Sequence, residues 1–146
     1  MIPATIEKEI VIDAPIDVVW RVITEPDQIQ QWFSAEAELD GRVGGSGRLR
    51  FESGESAYLQ VETFEPPERF AYRWLHEEGT RARPGNSTLV EFILTADGPR
   101  TRLRVVESGF DQLAGSDEAK AKIVEEHTEG WHVITEQLRE HGSRVT

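Results

Sequence analysis

The stretch IVEEHTEGWHVITEQL, residues 123–138, decides the fold of this chain. Five of its side chains follow one another at intervals of four, four, three and four positions: Ile123, His127, Trp131, Ile134 and Leu138. These intervals describe one face of an α-helix, and the mostly apolar character of that face indicates that it is buried. We therefore predict a long amphipathic helix near the C-terminal end.

Two residues inside this stretch, His127 and Gly130, are unusual for a helix that only fills a core. Glycine in a helix interior costs about 1 kcal/mol relative to alanine. In one interpretation the helix closes over a pocket, where the glycine leaves room for a ligand and the imidazole bonds to it. In the other, the glycine lets a neighbouring element pack closely, and backbone or water satisfies the histidine. Taken alone, the two residues favour the second interpretation.

Composition and charge narrow the classes of function. The chain has 146 residues, 38% of them apolar, and we predict a single domain over 1–146. It has no cysteine, which excludes thiol nucleophiles, iron–sulfur clusters and thiolate zinc sites. The net charge of −11 opposes binding to nucleic acids and anionic membranes, because affinity for phosphates rests on Lys and Arg. Residues 1–12 hold no long apolar run, so we expect neither a signal peptide nor a membrane span, and a cytoplasmic protein.

The first part of the chain predicts a strand and two short helices. The strand covers residues 5–12, and Pro15 suits the first turn of a helix that ends near Thr24. Pro26 opens the second short helix. The apolar residues predicted on that second helix are Ile29, Trp32 and Phe33.

After Ala35 apolar residues alternate with polar ones, with period two. This pattern predicts short strands with one buried, apolar face, which we call the dry face. The predicted inward set is Leu49, Phe51, Leu59, Val61, Phe70, Tyr72, Trp74, His76, Val90, Phe92, Leu94, Leu103, Val105 and Glu107. Short turns join the strands and favour antiparallel neighbours, because a parallel crossover needs a dozen or more residues. Ser116 is the predicted N-cap of the long helix, and we expect fraying from Gly142 onward.

These patterns predict an α+β fold in which a strongly curved antiparallel sheet wraps its dry face around the long helix. The space between sheet and helix is then the natural place for a cavity.

Ten short motifs carry a resemblance to a known family. They are Ala14-Pro15, Val19-Trp20, Thr24-Glu25-Pro26, Trp32-Phe33, Val43-Gly44-Gly45, Pro66-Pro67-Glu68-Arg69, Tyr72-Arg73-Trp74, Ser87-Thr88-Leu89-Val90-Glu91-Phe92, Glu107-Ser108-Gly109-Phe110 and Gly130-Trp131. With these motifs in this order, the chain resembles the heat-shock protein 90 ATPase activator-like family of the START-like (SRPBCC, Bet v 1-like) superfamily. The resemblance extends from about Ile6 to Leu138. At Glu107 it departs from the His-Ser-Gly-Phe sequence of many relatives.

The resemblance implies a helix-grip fold: a strand, two short helices, six more strands, and a long C-terminal helix over a deep hydrophobic cavity. It also implies a range of activities, because the superfamily includes lipid and sterol carriers, plant hormone receptors, polyketide cyclases and aromatases, and co-chaperone domains. Fold alone does not choose among them.

The candidate ligand-binding set combines the inward strand residues with rim and helix residues. It comprises Trp32, Phe33, Phe51, Leu59, Val61, Tyr72, Trp74, His76, Phe92, Leu94, Val105, Glu107, Phe110, His127, Trp131 and Ile134. So many flat rings suit an aromatic or polycyclic ligand such as a flavonoid, polyketide or sterol. The alternative is that the same rings fill the core.

Four of the predicted inward groups are polar: Tyr72, His76, Glu107 and His127. A histidine with a carboxylate is the minimum for acid–base catalysis. No spacing brings Glu107 to His127, however, and we expect a salt bridge or an exposed rim position for Glu107 instead. No metal or cofactor is expected, since the histidines form no close pair on one face, and the Gly44–Gly47 run lacks the lysine of a phosphate loop.

Three functions remain open. The first is binding of a small hydrophobic ligand without catalysis, which we expect. The second is a co-chaperone or other protein-interaction module whose acidic surface meets a basic partner. The third is a polyketide cyclase- or aromatase-like enzyme. A homodimer through the exposed sheet face or an edge strand is compatible with the sequence.

Overall fold

The computed structural model describes residues 4–75 and 81–145. Within those ranges, seven strands form one antiparallel sheet. The strands are β1 (Thr5–Ile12), β2 (Glu36–Leu39), β3 (Ser46–Arg50), β4 (Ser56–Glu65), β5 (Arg69–Leu75), β6 (Thr88–Asp97) and β7 (Arg100–Ser108). The helices are α1 (Ile16–Thr24), α2 (Pro26–Ile29) and α3 (Asp117–Arg144), with a one-turn 3₁₀ helix at Phe110–Gln112 before α3.

The sheet is a meander of six consecutive strands, and the first strand of the chain joins it at one edge. Its order is β1-β7-β6-β5-β4-β3-β2, so the strands β2 to β7 follow one another and β1 pairs with β7 at the far edge. The sheet is open, and β1 and β2 are its edges. The predicted helix-grip architecture is confirmed: α3 packs on the dry face of this sheet, and α1 and α2 lie at one end.

The two faces of the sheet differ as the alternation predicts. The described members of the predicted inward set are all buried or half-buried. The outward face is charged and paired across strands: Glu7 bonds to Arg104 at 2.6 Å, and Glu9 bonds to Arg102 at 2.9 Å. At the β2 edge the exposed carboxylates of Glu36 and Glu38 face arginines of β3.

The predicted extent of α2 was wrong. The helix ends at Ile29, and Trp32 and Phe33 lie in the turn that follows. The Trp32 indole donates from Nε1 to the carbonyl of Val22 at 2.9 Å and is only 3% exposed. This bond ties the turn to α1, and the next residue, Phe33, contacts Trp131 of α3.

The long helix α3 begins as predicted, with Ser116 Oγ accepting from the backbone N–H of Ala119 at 3.1 Å. Its end differs, since the helix runs to Arg144 and the predicted fraying from Gly142 was wrong. Gly142 is buried against β1, and a Cβ at this position would lie 2.7 Å from Cγ2 of Ile12. No helix in the described part of the chain is long and apolar enough to span a membrane.

Candidate ligand-binding cavity

A cavity of about 310 Å³, which we call the aromatic cavity, lies between the N-terminal half of α3 and the ends of β3 and β5. Its lining residues are Phe33, Phe51, Glu55, Trp74, Glu107, Glu126, His127, Gly130, Trp131 and Ile134. A groove of about 640 Å³, the outer groove, lies beside it and shares Glu55, Trp74, Glu126 and His127.

Gly130 borders open space. A Cβ built at this position would meet no atom of residues 4–75 and 81–145 within 4 Å. No neighbouring element therefore uses the glycine for close approach, and that interpretation of the sequence is wrong for Gly130. The missing side chain instead contributes to the volume of the aromatic cavity.

Phe33 is the central ring of the cavity wall. It stacks on Trp74 of β5, with ring centroids 5.8 Å apart and planes 12° from parallel. It also approaches Trp131 of α3 at 5.7 Å and Phe51 at 6.1 Å. The wall therefore consists of flat rings from four parts of the chain, a surface that suits a flat apolar ligand.

A buried carboxylate lies at the inner end of the cavity. Glu107, near the end of β7, is 2% exposed. Three donors reach it: Thr88 Oγ1 at 2.6 Å, Trp131 Nε1 at 2.8 Å, and His127 Nδ1 at 2.9 Å from both carboxylate oxygens. These contacts offset the large cost of burying a charge. The expected salt-bridge partner for Glu107 is present as His127, a contact that is an ion pair only when the imidazole is protonated, and the alternative of an exposed rim position was wrong.

The histidine at the cavity is held in a fixed orientation. His127 and Trp131 lie one turn apart on α3, so both reach Glu107. The imidazole packs edge-on against Phe110 and Trp74, with centroids 5.5 and 6.5 Å away. An ionised carboxylate only accepts, so Nδ1 carries the shared proton. Within the described ranges, Nε2 has no hydrogen-bond partner.

Tyr72 stands deeper in the sheet. It pairs in register with Val90, which in turn pairs with Glu107, so the three inward side chains form a row across β5, β6 and β7. The Tyr72 hydroxyl is buried and has no hydrogen-bond partner in the part of the chain that the structure describes. Burial raises the pKa of this phenol well above its ordinary value, and the negative charge of Glu107 raises it further. The hydroxyl therefore keeps its proton.

The structure divides the candidate ligand-binding set into two groups. Seven members line the aromatic cavity: Phe33, Phe51, Trp74, Glu107, His127, Trp131 and Ile134. Eight lie in the packed core: Trp32, Leu59, Val61, Tyr72, Phe92, Leu94, Val105 and Phe110. A space of only about 10 Å³ lies among core residues that include Trp32, Leu59, Tyr72 and Phe92, so little of the predicted hollow remains there. His76 lies outside the described residues.

Sequence reasoning missed Thr88, Glu55 and Glu126. Thr88 lies two residues before Val90 on β6, and side chains two residues apart on a strand face the same side of the sheet. This spacing predicts that the Thr88 hydroxyl faces inward. Glu55 lies in the turn before β4, and no periodicity locates a turn residue. Among the described residues, no group of three His, Asp or Glu side chains is arranged to hold a metal ion.

Comparisons with known proteins agree with this architecture. The family model described as Activator of Hsp90 ATPase homolog 1-like protein matches residues 13–142. CalU16 from Micromonospora echinospora is 27% identical with a TM-score of 0.72, over 96% of this chain and 76% of that protein. Protein MLL2253 from Mesorhizobium loti is 22% identical with a TM-score of 0.78, over 97% and 98% of the two chains.

A third similar structure is the Aha1 dimer from Colwellia psychrerythraea. It is 19% identical with a TM-score of 0.78, over 97% of this chain and 98% of that one. No curated protein matches the sequence significantly.

Proposed function

The chain belongs to the Activator of Hsp90 ATPase homolog 1-like family, and from that premise we propose that it binds a small hydrophobic, aromatic or polycyclic ligand in the aromatic cavity. The observation that carries the proposal is the open space beside Gly130 among the described residues, on a helix that buries Trp131 and Leu138. A glycine that costs helix stability without allowing a close contact is accounted for when its missing side chain makes room for a guest.

The size and chemistry of the cavity support this function. A volume of about 310 Å³ falls at the lower end of the range typical of small-molecule sites. Its walls offer the faces and edges of Phe33, Trp74 and Trp131 to a flat ring system. Rings that are already packed against one another lose little freedom when a ligand binds, which favours affinity.

Filling the cavity tests the proposal. We expect Gly130→Leu to abolish tryptophan quenching and thermal stabilisation by aromatic ligands, because the new side chain occupies the ligand volume. The matched control is His132→Leu, which places the same side chain at an exposed position two residues along α3. Equal ligand responses in the two variants would contradict the proposal. So would the absence of any response across a broad library of polycyclic aromatics, sterols and fatty acids.

A protein-interaction role is the second candidate. The family description and the net charge of −11 favour it, because an acidic surface complements a basic patch on a partner such as a chaperone. Co-purification with the chaperone and stimulation of its ATPase activity test this role. The similarity to a dimeric structure supports the association of two copies of this chain into a homodimer. Light scattering measures the oligomeric state directly.

A cyclase-type activity is the third candidate, favoured by the contact of 2.9 Å between Glu107 and His127. A histidine oriented by a buried carboxylate is an arrangement suited to general-base catalysis. Turnover of a polyketide substrate that falls on Glu107→Gln and on His127→Ala would establish it.

A further inference from the structure

We propose that His127, oriented by Glu107, selects neutral hydroxyaromatic ligands by accepting a hydrogen bond from the ligand hydroxyl at Nε2. This inference rests on the proposed function, because it names the ligand class of the same aromatic cavity. It assigns His127 as the specificity-determining residue and Glu107 as the positioning residue behind it.

The first step concerns the proton on the imidazole. Glu107 is held by Thr88 and Trp131 through bonds of 2.6 and 2.8 Å, so the carboxylate cannot turn away from α3. It accepts from Nδ1 of His127 at 2.9 Å. In its neutral form the imidazole carries its hydrogen on Nδ1, where Glu107 accepts it, and Nε2 then presents a lone pair.

The second step concerns what this lone pair meets. His127 lines both the aromatic cavity and the outer groove. Its ring lies roughly perpendicular to those of Phe110 and Trp74, with centroids 5.5 and 6.5 Å away. Nε2 has no hydrogen-bond partner within residues 4–75 and 81–145. A ligand that fills the cavity desolvates this atom, so a ligand with a hydroxyl at that place avoids the cost of an unpaired acceptor.

The third step concerns charge. Within residues 4–75 and 81–145, the titratable groups that line the aromatic cavity beside His127 are Glu107 on β7, Glu55 in the turn before β4 and Glu126 on α3 itself, and all three are carboxylates. Arg83 lines only the outer groove. A ligand carboxylate or phosphate would be repelled by the cavity, whereas a neutral phenol brings a donor without a negative charge.

Three naphthalenes that differ in one substituent test the proposal: 2-naphthol, 2-methoxynaphthalene and 2-naphthoate. We expect 2-naphthol to bind about tenfold more tightly than the methoxy compound, the effect of one net hydrogen bond. We expect 2-naphthoate to bind more weakly than both. Calorimetric titration of the intact chain measures all three affinities.

Two variants test whether His127 and Glu107 cause the preference for a ligand hydroxyl group. In His127→Phe the hydroxyl preference should fall to about onefold, while 2-methoxynaphthalene still binds, because the ring volume is kept and the acceptor is lost. Glu107→Gln should reduce the preference without removing apolar binding, because Nδ1–H is no longer fixed by a charged acceptor. A tenfold preference that survives in His127→Phe would overturn the assignment.

A measurement on the unmodified chain keeps the test decisive if the variants fail to fold. The ¹⁵N resonance of His127 Nε2 should shift on binding 2-naphthol and stay in place on binding 2-methoxynaphthalene. Equal affinities for the two compounds, or equal shifts, would overturn this inference and leave the proposed function standing. Failure of all three naphthalenes to bind would overturn both.

Discussion

Gly130 and Gly142 lie twelve positions apart on the same helix and have opposite surroundings. At Gly142 an added Cβ would lie 2.7 Å from Ile12, so the missing side chain allows α3 to press onto β1. At Gly130 an added Cβ would meet nothing within 4 Å in the part of the chain that the structure describes. The same residue type serves contact at one end of the helix and space at the other.

This difference divides the sheet–helix interface into a packed half and an open half. The packed half joins α3 to β1 and α1 through buried residues such as Leu138. The open half carries the half-buried His127 and Ile134 beside the aromatic cavity. The stability of the fold can therefore reside in one half of the helix while the other half stays free to bind a ligand, and the following substitutions examine that division.

Truncating one apolar side chain in each half should give the largest contrast. Leu138→Ala should lower the free energy of unfolding by about 2–5 kcal/mol, because Leu138 is fully buried and its removal leaves a cavity in the packed half. Ile134→Ala should cost about 1 kcal/mol or less, since Ile134 already borders open space. Chemical denaturation measures both values. Equal costs would show that the two halves are packed alike.

Gly142→Ala should produce the next largest effect, a loss of about 1–3 kcal/mol, because the new methyl group overlaps Ile12. The double variant Gly142→Ala with Ile12→Ala should lose less than the sum of the single losses, since the second truncation removes the overlap. Additive losses in this cycle would mean that the close contact is not the cause.

Gly130→Ala should raise the free energy of unfolding, which is the opposite of the effect expected for Gly142→Ala. Alanine is the better helix former and meets no neighbour here, so we expect a gain of about 0.5–1 kcal/mol together with weaker binding of aromatic ligands. The thermal unfolding midpoint and a ligand titration report the two effects. A loss of stability would place Gly130 in a packed environment and contradict the contrast with Gly142.

The smallest expected effect is a pH dependence at the packed end. His141 Nε2 lies 2.8 Å from Gln28 Oε1, and burial, with the nearby charge of Arg144, lowers the pKa of His141 from its ordinary value of 6.5. The unfolded chain then binds the proton more readily, so stability should decrease as the pH falls below 6.5. His141→Gln should reduce that slope, as measured by melting from about pH 7.5 to about pH 5.5. An unchanged slope would show that other groups set it.

The fold was predictable because it depends on periodicity. Alternation along β4 to β7 identified the inward side chains, and the spacing in residues 123–138 identified α3. The position of Trp32 was not predictable, because a tertiary hydrogen bond to Val22 holds its side chain in the turn after α2. Local propensity carries no information about such a contact.

The candidate site was predictable only in part. The alternation of inward and outward side chains along β7 predicted that Glu107 faces the core. Helical spacing predicted that His127 and Trp131 share one face of α3. That they meet depends on how far α3 crosses the sheet, which the 3₁₀ turn at Phe110–Gln112 and the loop after it determine. For the same reason the sequence does not distinguish Gly130 from Gly142, since only the position of β1 gives the second glycine a neighbour.

The open sheet has a consequence for behaviour at high concentration. Its β2 edge is only four residues long and displays Glu36 and Glu38 to solvent, each facing an arginine of the adjacent strand. A second chain that added a strand there would find few backbone groups to pair and fixed charges beside them, features that deter fibril-like growth. These features therefore protect the β2 edge of the sheet against edge-to-edge aggregation without requiring a closed barrel.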